Sequence, residues 1–142
     1  MVIEFFLPMI PPTVTQQEHQ VRVRNGKPIF YEPDHLREAR QKLMAHLGKH
    51  VPEEPILSAI RLTTKWIWPL PKKQIDRLKS TGLHDFAMYK TTKPDTDNVI
   101  KMLKDCMTRC GYWKDDALVA SEITEKFLGM NPGIYIRIEE LS

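Results

Sequence analysis

The sequence predicts an α/β (α+β) fold, a small mixed β-sheet with two main helices packed on it. Three observations carry this expectation. Segments rich in β-branched and aromatic residues recur along the chain, and two stretches with apolar residues at helical spacing interrupt them. An Asn25-Gly26 pair stands between two extended runs, where it accepts the positive φ angles of a tight hairpin turn. The 142 residues suit one domain able to bury most of its apolar surface in one core, so residues 1–142 are expected to form a single domain.

The elements follow in order. "VIEFFL" reads as a first strand, closed by the proline-rich "PMIPP", which cannot continue a hydrogen-bonded ladder. "VRVRNGKPIFY" is the hairpin. "PDHLREARQKLMAHLG" carries Leu36, Leu43 and Leu47 at helical spacing, with Gly48 as its stop signal. "ILSAIRLTTKWIW" is β-rich and predicts a central strand. The segment "PLPKKQIDRLKSTGLHDFAMYKTTKP" reads as a basic excursion from the core with a short helix in its middle. After it, Val99, Leu103, Cys106, Met107 and Cys110 form one helical stripe, and Asp97, Lys101, Lys104 and Thr108 form another. Gly111 ends that helix, "YWKDDALVASEITEKFL" begins a strand with Asp115 and Asp116 at its mouth, and "GIYIRIEEL" closes the chain as a last strand.

Several function classes are excluded at this level. No run of about 18 apolar residues exists to cross a membrane, and "MVIEFFLPMIPP" lacks the basic start and small-residue cleavage site of a signal peptide. A cytoplasmic protein is expected. Cys106 and Cys110, four apart on one helix, are poorly placed for a disulfide and read as reduced, buried thiols. His46 and His50 have zinc-ligand spacing, but "HLGKH" contains the helix-stopping Gly48, no metalloprotease glutamate and no third ligand. Trp66 and Trp68 share one face of their strand, where core packing is expected over stacking on bases.

Charge distribution says more than the net charge of +3. Between Lys65 and Lys93 seven basic residues face two acidic ones, an excess of five that leaves the rest of the chain net acidic by two. Within that segment Lys72, Lys73, Arg77, Lys79, Lys90 and Lys93 are candidate phosphate contacts for DNA. Directly after it comes "KPDTDNVIKMLKD". Pro94 disfavours a helical Lys93, so the chain should arrive extended, with Thr96 or Asp97 near the N-cap. Residues i and i+2 of an extended approach share a side, which aims Asp95 and Asp97 at one point. A helix of some fourteen residues and a reversing strand can return the Asp115–Asp116 pair towards them. Converging carboxylates repel unless a cation lies between them, and oxygen-only ligands suit Mg²⁺ or Mn²⁺.

The plainer reading is that Asp95 and Asp97 cap the helix and stabilise its dipole, with Lys101 as an i,i+4 salt-bridge partner of Asp97. An EF-hand starting at Asp95 fails, because Ile100 and Cys106 stand where glycine and glutamate are required. An aspartyl-phosphatase nucleophile fails too, because "YKTTKP" is no apolar strand.

"KPDTDNVIKMLKD" followed by "GYWKDDALV" resembles the signature of the RusA family of Holliday junction resolvases: Asp-x-Asp-Asn, a lysine three residues after the asparagine, an aromatic and an Asp-Asp pair. The order of the other elements is similar to that family over nearly the whole chain. Leu118 departs from the polar residue that often follows Asp-Asp-Ala. The resemblance implies a RusA-like, dimeric fold, with Asp95, Asp97 and Asp116 as catalytic metal ligands and Lys101 as the functional lysine. It implies a Mg²⁺-dependent endodeoxyribonuclease (Mn²⁺ possible as the cofactor) that leaves 5′-phosphate and 3′-hydroxyl ends in recombination and repair. Asn98 would orient an adjacent carboxylate or cap the helix, and Asp115 stays off the catalytic set because strand alternation would turn it away. The substrate would be a four-way DNA junction, whose two equivalent strands call for the two sites of a homodimer. The alternatives are a catalytically inactive branched-DNA-binding protein and a nuclease of broader structure specificity that also cuts flaps and forks. Should Lys101 prove dispensable, Lys93, Lys126 and the basic excursion are the next phosphate-binding cations.

Overall fold

In a computed structural model, residues 1–13, 20–24, 26–31 and 34–142 are described. The secondary structure is mixed α and β, as expected: β1 (Val2–Leu7), β2 (Gln20–Arg24), β3 (Lys27–Tyr31), α1 (Asp34–Leu47), β4 (Ile60–Pro69), α2 (Lys72–Ser80), β5 (Ala87–Tyr89), α3 (Thr96–Cys110), β6 (Val119–Gly129) and β7 (Gly133–Glu140). They divide between two compact units, each built from separate pieces of the chain. One comprises Met1–Pro11, Leu57–Thr92 and Ala117–Ser142, the other Pro12–Ile56 and Lys93–Asp116.

The first unit is a five-stranded sheet in the order β1-β7-β4-β6-β5. β4 lies in its centre, as its β-branched and aromatic sequence predicts. It pairs antiparallel with β7 and parallel with β6, and a parallel pair needs a long crossover. Here that crossover carries α2, β5 and α3, so it contains the acidic motif. Alternation is clean along β4: Ile60, Leu62, Thr64, Trp66 and Trp68 are buried, while the residues between them are not. Ile134, Ile136 and Ile138 of β7 stand opposite Trp66, Thr64 and Leu62 and are buried with them. Trp66 and Trp68 stack with ring centroids 6.2 Å apart, and Trp66 Nε1 donates to Thr64 Oγ1 at 2.9 Å. Both are core residues, which settles their role against base stacking.

The basic segment differs from its expectation in two ways. Its helix, α2, starts at Lys72 directly after Pro71, at the front of the segment and not in its middle. Its far end returns to the sheet as the edge strand β5, paired antiparallel with β6 from Ala87 opposite Gly129 to Tyr89 opposite Phe127. Three exposed residues with no alternation give no strand signal of their own; the pairing comes from β6.

The second unit holds the β2–β3 hairpin, α1 and α3. The hairpin registers Arg24 against Lys27, and Gly26 has φ +74°, as a tight turn requires; Asn25 lies outside the described residues. Leu36, Leu43 and Leu47 of α1 are all fully buried. On α3 the buried set is Val99, Ile100, Met102, Leu103, Cys106 and Met107. It is broader than the stripe read from spacing, and Cys110 is only half-buried. Arg40 of α1 pairs with Asp105 of α3 at 3.8 Å, and Arg109 pairs with the same carboxylate at 3.3 Å. Gly111, at φ +94°, ends α3 in the left-handed region. The turn beyond it is pinned: Tyr112 Oη donates to Leu47 O at 2.5 Å, Ile56 N to Tyr112 O at 2.9 Å and Trp113 Nε1 to Thr108 Oγ1 at 2.7 Å.

Candidate nuclease site

Asp95, Asp97, Asn98 and Lys101 all belong to the start of α3. Pro94 is buried and joined to Lys93 by a cis peptide. Asp95 follows with φ −72° and ψ 152°, an extended conformation, and is itself the N-cap. The helix thus begins at Thr96, earlier than an N-cap at Thr96 or Asp97 would place it. The difference matters for geometry. Asp97 is already helical, and successive helical residues turn by about 100°, so the alternation that would align residues i and i+2 does not apply.

What the side chains do there bears on the capping alternative. Asp95 sits at the cap position, yet its carboxylate makes no capping hydrogen bond. Asp97 lies in the first turn, where a negative charge is favoured by the helix dipole. No ion pair joins it to Lys101 among the described residues, one turn further on. Asp95, Asp97 and Lys101 are exposed, and Asn98 is half-buried. Three ionisable groups therefore stand in solvent at one end of one helix, free of the bonds that would make them structural.

Asp115 and Asp116 are exposed as well. They do not open β6, as expected from sequence. Asp116 begins a short 3₁₀ turn, Asp116–Leu118, that precedes the strand, so strand alternation cannot decide where Asp115 points. Among the described residues no three His, Cys, Asp or Glu side chains lie together so as to enclose a cation. The donor set still fits Mg²⁺ or Mn²⁺ in kind. It is all carboxylate oxygen, exposed, and at Asp95 unused for capping, and Mg²⁺ commonly takes one or two carboxylates, substrate phosphate and waters.

The basic residues fall into two groups. Lys72, Lys73, Arg77 and Lys79 are exposed on α2, which buries no residue. Lys72 and Lys73 occupy its first turn, where no acidic residue and no side-chain cap offset them, although that end of a helix favours negative charge. The second group sits where β5 ends. Lys90 N donates to Lys126 O at 2.9 Å, Lys90 Nζ to Thr92 Oγ1 at 2.6 Å and Lys126 Nζ to Thr92 O at 2.8 Å. Sequence reasoning placed Lys126 only among the fallback cations; its signal was a lysine in register with Trp66 of the buried β4 face. Lys93 is exposed beside Pro94.

The remaining candidates are two cysteines and a histidine pair. Burial pushes the Cys106 thiol up to about 12, and raises Cys110 as well, the opposite of an activated nucleophile. Burial, with Lys49, Lys42 and His50 nearby, lowers the His46 pKa, and no third donor joins the histidine pair among the described residues. No helix among the described residues is long and apolar enough to cross a membrane.

Comparison with known proteins agrees with the motif. An uncharacterized protein, YqaN of Bacillus subtilis (strain 168), is 29% identical over 130 residues, 91% of each chain. The crossover junction endodeoxyribonuclease rusA of Lactococcus phage r1t is 30% identical over 138 residues, covering 97% of this chain and 96% of its own. The family model described as Endodeoxyribonuclease RusA matches residues 9–139, a span that contains the acidic motif, both basic groups and the whole helical frame, and the chain therefore belongs to the RusA family of endodeoxyribonucleases.

Proposed function

We propose that this nuclease-family chain resolves four-way DNA junctions by paired symmetric nicks, as a Mg²⁺-dependent homodimer working in the cytoplasm in DNA recombination and repair. The observation that carries the reading is the head of α3. Asp95, Asp97 and Lys101 stand exposed and uncommitted there, in the motif that resembles the family's signature and within the span that the family model matches. The phage relative bears the name of a crossover junction endodeoxyribonuclease, which supports the choice of substrate.

Asp95, Asp97 and Asp116 would hold the metal, with Mn²⁺ as a substitute. A bound ion supplies charge neutralisation on the phosphodiester and a water acidic enough to attack it at neutral pH. The chain's own groups do the rest. Lys101 places a positive charge one turn along from Asp97, where it offsets charge that develops on the phosphate oxygens in the transition state. Asn98, half-buried beside Asp97, would orient a metal-bound carboxylate by hydrogen bonding once the ion is in place. The first-turn N–H groups of α3, left uncapped by Asp95, favour an anion at the same end. Lys72, Lys73, Arg77, Lys79, Lys90 and Lys93 hold the backbone of the junction arms without reading sequence. Two equivalent strands cross a junction's two-fold axis, so simultaneous nicking needs two copies of the site, which a two-fold dimer supplies.

A labelled synthetic four-way junction incubated with the protein, with Mg²⁺ or with EDTA, tests this. Paired nicks bearing 5′-phosphates in Mg²⁺, and none in EDTA, are expected. Binding without cutting in Mg²⁺ would make the chain a junction-binding module, and equal cutting of flaps and forks would make it a nuclease of broader specificity. Sedimentation of the same sample reads the dimer.

A further inference from the structure

We infer that the open face of the five-stranded sheet is where two copies of this chain meet, packed sheet on sheet about a two-fold axis that runs along the strands. The inference rests on the homodimer proposed above and names the surface that makes it. β4 sorts its residues by face: Ile60, Leu62, Thr64, Trp66 and Trp68 are buried, and Arg61, Thr63, Lys65 and Ile67 look the other way. Residues in register share a face, so the open side also carries Phe6 of β1, Tyr135 of β7, Phe127 of β6 and Tyr89 of β5. Across one end of it runs an unbroken apolar band. Phe6 lies over Gly133, where any Cβ would run into its ring; Gly133 is in register with Ile67, Ile67 with Phe127 and Phe127 with Tyr89. The Phe127 and Tyr89 rings stack at 4.9 Å, and Gly129 leaves room for Ile67, whose Cγ2 lies 2.8 Å from where a Cβ would be. Two glycines thus let large side chains lie down across neighbouring strands, which flattens the band.

Phe6 is 42% exposed, Tyr89 66%, and Ile123, further along the same face of β6, 47%. Apolar surface spread over five strands is costly to leave in water and marks a place of association. Charge decides what fits there. Beyond the band, four charged groups are tied to one another: Arg137 pairs with Glu139 at 3.0 Å and with Glu4 at 3.9 Å, Arg61 pairs with Glu139 at 3.6 Å, and Tyr135 Oη donates to Glu4. Lys65 and Glu125 stand outside that network. They are in register, yet no ion pair joins them among the described residues: Lys65 Nζ lies over the Tyr135 ring at 5.8 Å, and Glu125 accepts from Tyr89 Oη at 3.2 Å. Arg61, Lys65 and Arg137 therefore balance Glu4, Glu125 and Glu139, and the face has no net charge on a chain of +3. Such a face offers a DNA backbone no counterion release.

A second copy fits it. A two-fold axis along the strands, between β4 and β6, sets Lys65 against the second copy's Glu125 and Ile67 against its Phe127, each contact made twice. The same axis brings Phe6, which lies over β7, against the second copy's Tyr89 on β5. Apolar groups meet apolar groups, and the two charges outside the network meet their opposites. Twisted sheets stack in this aligned way at about 30°. The footprint, about 24 Å across the strands by about 23 Å along them before side-chain relief is counted, is of the order of the roughly 800 Å² that each partner contributes to a standard interface.

Sedimentation velocity of the full chain over a concentration series, without DNA, tests this. Wild-type protein is expected to sediment as a dimer. I123R sets a charge against apolar surface and should raise the dimer dissociation constant by about 10²-fold or more. K65E and E125K each set like charges against one another twice per dimer and should raise it by about tenfold or more. An equimolar mixture of the two should return close to the wild-type value, because opposite charges then face each other across the interface in both contacts. Circular dichroism establishes that each variant is folded, and should I123R not fold, the two charge variants and their mixture carry the test. Wild-type dissociation constants in all three variants take the interface off this face and leave the homodimer standing. Charge variants that stay dissociated when mixed overturn the pairing of Lys65 with Glu125, and with it the axis. Variants that dimerise normally but lose junction binding give the face to DNA instead. Wild-type protein that is monomeric both free and on the junction removes the homodimer and this face together.

Discussion

Reversing the charges of Lys72 and Lys73 should weaken DNA binding and strengthen the helix that carries them. The two lysines occupy the first turn of α2, behind Pro71, with no acidic residue and no side-chain cap beside them. A positive charge at that end opposes the helix dipole by about 0.5 kcal/mol at an exposed site, so K72E/K73E swings the local balance by about 2 kcal/mol at low salt. Neighbouring pairs take back part of this: Lys72 loses an i,i+4 attraction and Lys73 an i,i+3 attraction to Asp76, while position 73 gains an i,i+4 attraction to Arg77. Because α2 buries no residue, the gain appears in the helix itself more than in the melting of the whole chain. Amide hydrogen exchange over Ile75–Ser80 should slow by up to about 30-fold, the equivalent of about 2 kcal/mol. Junction binding should move the other way, with the slope of log affinity against log salt flattened by about 2 and affinity down by about 10²-fold near 0.1 M salt. A residue selected for folding would move both readouts in one direction. Unchanged salt slope would take the DNA path away from α2, and faster exchange in the variant would refute the electrostatic accounting.

Asp97→Asn is nearly isosteric on an exposed first turn, so it should keep the fold and junction binding while abolishing Mg²⁺-dependent cutting; a variant that cuts at wild-type rate removes Asp97 from the metal ligands. Lys101→Met should slow single-turnover cleavage by about 10²-fold or more with affinity and melting temperature unchanged, because the contact is made chiefly in the transition state. Asp105→Ala leaves the buried Arg40 without this carboxylate and should cost about 2 kcal/mol in urea unfolding, less than a fully buried pair because Asp105 is one-third exposed. At pH 8 a thiol reagent should modify Cys110 far faster than Cys106, whose thiol burial holds near 12. The sign of the linkage follows: the unfolded Cys106 ionises above its ordinary value of 9.0 while the folded one stays protonated, so stability should fall as pH rises from about 9 to 12, read as a falling urea midpoint.

The strands and helices that alternate or repeat strongly are readable from sequence because one physical cause decides them. In β4 every second residue from Ile60 to Trp68 is buried, and in α1 the three leucines at helical spacing are fully buried. Burial on one face imposes the period, and the period is visible. β5 and α2 have no such cause. The three residues of β5 are exposed and held by the ladder of β6. α2 is a basic helix with only half-buried Ile75 and Leu78 on its inner side, so its apolar period is too weak to fix its boundaries. The α3 stripe was legible in direction but too narrow. Ile100 and Met102 are buried beside Val99 and Leu103, and a helix covered on more than one side no longer presents a single apolar face.

The residue types of the candidate acidic site are legible in the sequence and their local backbone is less so, and the reason lies in Pro94 and Asp95. Residue type alone decides that oxygen donors suit a hard divalent cation, and Asp95, Asp97 and Asp116 keep that property wherever they point. Placement depends on one boundary. With Asp95 as the N-cap in an extended conformation, Asp97 belongs to the helix, and the alternation that would have paired the two carboxylates is replaced by a helical turn. The approach to Asp116 likewise follows a local boundary that the sequence does not spell out, because Trp113 and Tyr112 tie the turn after Gly111 to Thr108 and Leu47. Carboxylates in water are most stable apart, so neither boundary is opposed by any attraction between them. A capping role would have spent the Asp95 carboxylate on its own helix, and an i,i+4 pair would have spent Lys101 on Asp97. Since neither bond is made, both the anionic and the cationic groups at the head of α3 remain available to a metal ion and to the phosphate it would share with them.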